Sequence, residues 1–371
     1  MPVRRCSKNN YLVQANLIKQ SIAGVQELTA TPGPVKLYTL TNKKGTQLTA
    51  CNVGAAVVSL LVKNKQQQLT DVVLGYTDAA AYLDDAYYIG SVVGRYANRI
   101  FGEKVMINGS PYYLNTRPGG FHQHGGHSGF NKKIFTASPF QLPDKTGIVF
   151  RYTSPHLEEG FPGELQLEVT YTLDDKDAWT VEYRAISSRA TLVNFTQHSY
   201  FNLAGNPAGT VDDHLLCIKG QYYLPVNQLQ VPTGELRPVA NTVFDFLQYK
   251  PIGKEVAAAD EQIQVSKGYD HTFVLERQHS RQLKHAATVI APATGIQLDV
   301  HTTEPAVHFY SGNFLNNVPG KNGVLYNSRS GFCLETQHFP DAPNNPHFPS
   351  TILNAGEHFY SKTIFSFSIQ H

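Results

Sequence analysis

The sequence predicts an all-β protein, a large antiparallel β-sandwich with very little helix. Three observations predict it. Only 16% of the 371 residues are charged while 11% are aromatic, and 29 Gly with 21 Pro supply tight turns, a profile that suits strands better than helices laced with Lys and Glu. Short runs with period-two alternation recur along the chain with turn signals between them. Almost nothing reads as helix, and many strands without helices imply sheet packed on sheet.

Residues 1–30 read as an N-terminal lead-in, a strand or a flexible tail, ahead of a single β-sandwich domain over residues 31–371. Met1 to Gln20 carries Arg4 and Arg5 but no apolar core like that of a secretory signal, so a cytoplasmic location is expected unless a leader has been removed. Runs at 36–41, 47–51 and 55–62 are successive strands of a meander, separated by Asn/Gly-bearing turns. Thr77-Asp-Ala-Ala-Ala-Tyr-Leu83 is the helical exception, one or two turns capped by Thr77 or Asp78. The clearest strand pair is 164–173 followed by 178–184, with strict apolar alternation in both and Asp174-Asp-Lys-Asp177 as the turn. Further strands are expected at 147–153, 192–196, 215–218, 272–275, 288–290, 296–301, 307–310 and 363–369. In the extended run 331–341, alternation puts Cys333, Glu335 and Gln337 on one face and Phe332, Leu334 and Thr336 on the other. One face must therefore accept a carboxylate.

A formal net charge of +2 with no basic run offers no footprint for nucleic acid or anionic lipid. The longest apolar run, residues 55–62, falls far short of the roughly 20 residues of a spanning helix. A small uncharged partner is the expectation. Cys6, Cys51, Cys217 and Cys333 are widely scattered, without the close pairs of a zinc or redox motif, and are read as reduced thiols.

Several stretches concentrate chemistry. Gly119-Gly-Phe-His-Gln-His-Gly-Gly-His-Ser-Gly129 brings His122, His124 and His127 among glycines; a metal site, a backbone cradle with one imidazole donor, and a solvated loop are all open readings. Asn194-Phe-Thr-Gln-His-Ser-Tyr-Phe-Asn-Leu-Ala-Gly205 sets His198 amid aromatic and amide side chains, either satisfied core or a wall suited to a sugar, which presents apolar C–H faces and a ring of hydroxyls. In Gly94-Arg-Tyr-Ala-Asn-Arg-Ile100 and Gly268-Tyr-Asp-His-Thr-Phe273, Arg95, Arg99 and Asp270 read singly as surface ion pairs or turn residues.

Taken together and in order, these motifs, with Tyr310-Ser-Gly-Asn-Phe-Leu315 and Leu334-Glu-Thr-Gln-His-Phe-Pro-Asp341, resemble the aldose 1-epimerase (galactose mutarotase) family from about residue 35 onward. The resemblance implies the galactose mutarotase-like supersandwich. It also implies Glu335 as general base, His198 as general acid, His124 as a second imidazole at the ring oxygen, and Asn98, Arg99 and Asp270 as hydroxyl-binding groups. In Pro305-Ala-Val-His-Phe-Tyr-Ser-Gly-Asn313, His308 stands where many members have a sugar-binding Gln, which bears on sugar preference. Gln123 before His124 is a second departure.

The implied reaction interconverts the α and β anomers of free aldohexoses such as glucose and galactose. Opening and reclosing the hemiacetal ring requires only proton transfers at O1 and O5, so no metal and no organic cofactor is expected. The expected partner is a monosaccharide, with the chain a monomer or a homodimer. Other readings are a glycoside hydrolase using Glu335 and Asp270, a non-catalytic carbohydrate-binding protein, and a hexose-6-phosphate 1-epimerase. The same-face argument also expects Cys333 to flank the cleft, open to thiol reagents.

Overall fold

The computed structural model describes residues 21–22, 25–28, 35–205, 209–276 and 280–370. Most of the lead-in expected over residues 1–30 therefore lies outside the described residues. Three antiparallel sheets carry the architecture. One has six strands in chain order, from Ser21–Ile22 to Leu69–Asp71. A nine-stranded sheet runs Thr136–Leu142, Lys145–Ser154, Leu165–Asp174, Ala178–Ser187, His358–Ile369, Ile296–Thr302, Lys284–Ile290, Leu215–Ile218, Lys250–Pro251. A five-stranded sheet runs Arg237–Pro238, Tyr222–Leu224, Asp270–Val274, Ala306–Tyr310, Cys333–Gln337.

The expected strand pair shows how sequence makes this fold. Along Leu165–Asp174 every second side chain is buried. Asp174 Oδ1 accepts from the backbone N–H of Lys176 (2.8 Å) and Ala178 (3.0 Å), which closes the turn and fixes the register Leu173 opposite Trp179. Trp179 is fully buried and stacks on Phe365 with ring centroids 4.8 Å apart. Each such apolar side chain contributes about 1.5–3 kcal/mol by leaving water.

The sheets share one core. Tyr38 of the six-stranded sheet meets Phe150 of the nine-stranded sheet edge-on at 6.3 Å. Phe273, Phe309 and Leu334 of the five-stranded sheet join that core, and Thr336 Oγ1 lies 2.6 Å from Thr363 Oγ1 of the nine-stranded sheet. The five-stranded sheet thus has one face packed, and its other face is left to carry polar groups.

Three local differences from the sequence reading have physical reasons. The segment 192–196 is broken into Thr191–Leu192 and Thr196–Gln197, because Val193 N–H donates to Thr351 O and Asn194 N–H to Arg95 O instead of continuing one ladder. A hairpin of Lys104–Ile107 with Ser110–Tyr113 turns on Asn108-Gly109, both at positive φ (48° and 80°), the left-handed pair that an Asn-Gly turn favours. An α-helix, Glu261–Ser266, was not expected; Asp260 caps it by accepting from Gln262 and Ile263 N–H. The expected helical turn is a 3-10 helix, Ala79–Leu83, capped by Asp78. No helix among the described residues is long and apolar enough to cross a membrane.

Candidate active site

Strand register assembles the site. His308 lies directly opposite Glu335, and Thr272 directly opposite His308. Asp270, Thr272, His308 and Glu335 therefore share the face turned away from the core, while Leu334, Phe309 and Phe273 point into it. The alternation expected for the 331–341 run holds.

Other loops complete a pocket of about 120 Å³ lined by Tyr88, Arg99, His124, His198, Asp270 and Glu335 among others. Asn98 takes φ 62°, a left-handed turn that Asn tolerates, and clamps the His124 backbone and ring. Its C=O accepts from His124 N–H (2.9 Å) and its N–H donates to His124 Nδ1 (3.2 Å). His124 thus carries its proton on Nε2 when neutral. Burial, with the nearby His198, holds its pKa well below the usual value, so it is an uncharged donor. His198 follows the Thr196–Gln197 strand, anchored by its N–H to Ser91 O and its C=O to Gly90 N–H.

Glu335 is 1% exposed, and its Oε1 lies 3.5 Å from His198 Nε2. Burial raises the Glu335 pKa well above the carboxylate range, and the charge of Asp270 adds to this against Arg99. Burial lowers His198 to about 4. Both shifts favour the uncharged forms of the two groups, against the ionised Glu335 and protonated His198 that a base and an acid imply at first sight. Asp270 differs: burial opposes its ionisation, but the His308 hydrogen bond (Nε2 to Oδ1, 2.7 Å) and the Arg99 charge outweigh it and hold its pKa below the usual value. Thr272 Oγ1 occupies the other His308 nitrogen at 2.8 Å, and Asn98 Nδ2 lies 3.3 Å from His308 Nδ1. Arg99 Nη2 lies 3.6 Å from Asp270 Oδ2 and donates to Gln230 Oε1 at 2.7 Å.

All seven sequence-derived residues are buried: Asn98, Arg99, His124, His198, Asp270, His308 and Glu335. Six of them, all but Asn98, line the pocket; Asn98 reaches it through His124 and His308. The readings of four residues are corrected. Arg95 and Arg99 are not surface ion pairs: Arg95 is 2% exposed and its guanidinium holds the Pro162 and Gly163 carbonyls at 3.0 and 2.9 Å. His122 turns away from the pocket, edge-on to Phe161 at 5.0 Å with Nδ1 2.8 Å from Asn115 O. Cys333 is fully buried, its Sγ 3.5 Å from His198 Nδ1, so it backs the imidazole and is closed to reagents. Among the described residues, no group of three or more His, Cys, Asp or Glu side chains stands so as to hold a metal ion.

Sequence reasoning offered an aromatic wall around His198, in the stretch that holds Tyr200, and missed the rest of the lining. Tyr88 lies 4.6 Å from His124, Tyr200 lies 5.0 Å from His198, and Tyr310 stacks on Phe314 at 6.2 Å (ring centroids). Tyr200, Tyr310 and Phe314 sit inside the quoted motifs, and Tyr88 stands six residues before Gly94; their aromatic character was the available signal. Gln230 comes from a remote loop and carried none.

Fold and pocket together define a class, that of β-sandwich proteins with a buried carboxyl–imidazole pair in an aromatic-walled pocket. The comparisons agree. The family described as aldose 1-epimerase matches residues 36–366. The galactose mutarotase of Homo sapiens is 43% identical over 319 residues, 85% of this chain and 89% of that protein. The aldose 1-epimerase of Escherichia coli K12 is 36% identical over 338 residues, 90% and 95% of the two chains. The galactose 1-epimerase structure from Lactobacillus acidophilus superposes with a TM-score of 0.82 at 25% identity, covering 94% of this chain and 99% of that one. An aldose epimerase homologue from C. elegans gives 0.81 at 28% identity, covering 90% and 98%. The chain belongs to the aldose 1-epimerase family, and it is an isomerase that interconverts aldose anomers.

Proposed function

We propose that the chain interconverts the α and β anomers of free aldohexoses, glucose and galactose among them, with Glu335 and His198 moving the protons. The observation that carries this is the Glu335 Oε1 to His198 Nε2 distance of 3.5 Å in a buried pocket, close enough for the two groups to share one proton. Hydroxyls donating to Glu335 lower its pKa and shift that proton to His198. Glu335 then takes the O1 proton as His198 protonates the ring O5, the ring opens, C1–C2 rotates, and reclosure on the other face returns both protons. His124, neutral with Nε2–H as donor, supports the ring oxygen. Ionised Asp270 accepts from hydroxyls, while Arg99, Asn98 and His308 fix it and the sugar. No step needs a metal or an organic cofactor.

An Asp270 held ionised by His308 and Arg99 suits hydroxyl binding; an ionised Asp with a Glu of raised pKa is also the charge pattern of a paired-acid hydrolase, and it is the likeness to relatives named for epimerisation that favours the present reading. The reading treats residues 31–371 as one working unit, cytoplasmic, acting as a monomer or homodimer on a monosaccharide. The experiment is polarimetry on freshly dissolved α-D-glucose and α-D-galactose. Acceleration well above the solvent rate is expected, with an aryl glycoside left intact; sugar binding without acceleration would reduce the chain to a binding protein.

A further inference from the structure

One strand meets His198 at both of its ring nitrogens. Cys333 and Glu335 alternate onto the same face of Cys333–Gln337. The imidazole lies across them, Nδ1 3.5 Å from Cys333 Sγ and Nε2 3.5 Å from Glu335 Oε1. The rings that enclose His198 turn their polar atoms elsewhere. Tyr200 Oη donates to Tyr87 O at 2.9 Å, and Tyr310 Oη accepts from Phe314 N–H at 2.9 Å. Tyr88 Oη accepts from Arg117 Nη2 at 2.6 Å, and His124 Nδ1 accepts from Asn98 N–H at 3.2 Å. Among these neighbours it is the sulfur that faces Nδ1.

The proton transfers select one tautomer. A neutral His198 that takes a proton from Glu335 and passes it to the ring oxygen needs an open lone pair on Nε2, so its resting proton belongs on Nδ1. We propose that Cys333 is a positioning residue for the epimerisation: its sulfur accepts from Nδ1–H and keeps Nε2 as the nitrogen through which protons pass. The thiol is fully buried and stays protonated. A thiol sulfur is a weak acceptor, so it fixes tautomer and ring orientation without stabilising the imidazolium as a carboxylate in the same place would. The proton taken up at Nε2 is then readily given to O5.

The inference rests on the epimerase reading above, and a tautomer measurement beside the activity separates the two. Long-range proton–nitrogen NMR spectra of chain carrying nitrogen-15 histidine report which ring nitrogen is protonated, and His198 is the one of 15 histidines whose signals vanish in His198→Asn. Wild-type chain at neutral pH should show a protonated Nδ1 and a bare Nε2. Cys333→Ala should show mixed or reversed tautomers, with kcat for α-D-galactose lower by about threefold to tenfold, the contribution of one such hydrogen bond, and KM within about twofold. Cys333→Ser, which keeps an acceptor, should recover the Nδ1–H form and most of the kcat. A wild-type ring with its proton on Nε2 overturns the proposal before any variant is made. Wild-type kcat and tautomer in Cys333→Ala overturn it as well. So does a loss of kcat in Cys333→Ala with the tautomer unchanged and no recovery in Cys333→Ser, which is the mark of packing alone. Wild-type chain inactive on galactose overturns the epimerase reading and this role with it.

Discussion

His308 Nε2 lies 2.7 Å from Asp270 Oδ1, while Thr272 Oγ1 lies 2.8 Å from the Nδ1 of the same ring. Both imidazole nitrogens are thereby spoken for, and the ring acts as a rigid spacer between a hydroxyl and an ionised carboxylate. An amide at this position could not hold both contacts with the same planar geometry.

His308→Ala should therefore raise KM for galactose by about 10–100-fold with a smaller fall in kcat, because it removes binding shared by ground and transition states. His308→Gln should restore most activity while changing the glucose-to-galactose preference. Steady-state polarimetry with both sugars checks the split; a fall confined to kcat would contradict it.

The pH dependence follows from the shifts. The pair works with one proton, so kcat/KM should fall in acid as His198 takes up a second proton near its lowered value of about 4, and in alkali as Glu335 loses its own above the carboxylate range. A broad plateau across neutrality is expected. A profile falling between pH 5 and 7 would count against the shifted pair.

Glu335 also sets a stability cost. Its folded pKa lies above the unfolded value, so its contribution is fully present below about pH 4.5 and is lost as pH rises toward the folded value. Glu335→Gln does not titrate, and should unfold at a higher temperature than wild type at pH 8, by about 1–3 kcal/mol of stability, with little difference at pH 4. Equal melting temperatures at pH 8 would show that the carboxylate is not strained by burial.

Cys333 should escape thiol reagents in the native state. Its sulfur is fully buried and burial raises its pKa well above the usual value, leaving almost no thiolate. Peptide mass mapping should find residue 333 unlabelled until the chain is unfolded; rapid native labelling would contradict its place behind His198.

How far the sequence reached depended on the range of the interaction. Period two placed Glu335 on the correct face, and apolar alternation over 164–173 with an Asp-rich turn gave the central hairpin, because both are local consequences of the pleat. The seven site residues came from motifs, not from periodicity. What stayed hidden was set by folding at a distance: that Cys333 shares the face of Glu335 yet is covered, that Gln230 reaches Arg99 across the chain, and that Arg95 is consumed by carbonyls at Pro162 and Gly163. The Asn108-Gly109 turn was legible and overlooked. The opposite shifts of Glu335 and His198 come from burial, which no sequence pattern supplies.

The most direct measurement is polarimetry of fresh α-D-galactose with Glu335→Gln and His198→Asn beside wild type. Each variant should bind sugar and fold, yet lose about 10²–10⁴-fold in kcat, the contribution of one positioned proton-transfer group. A wild-type rate in either variant would contradict the account.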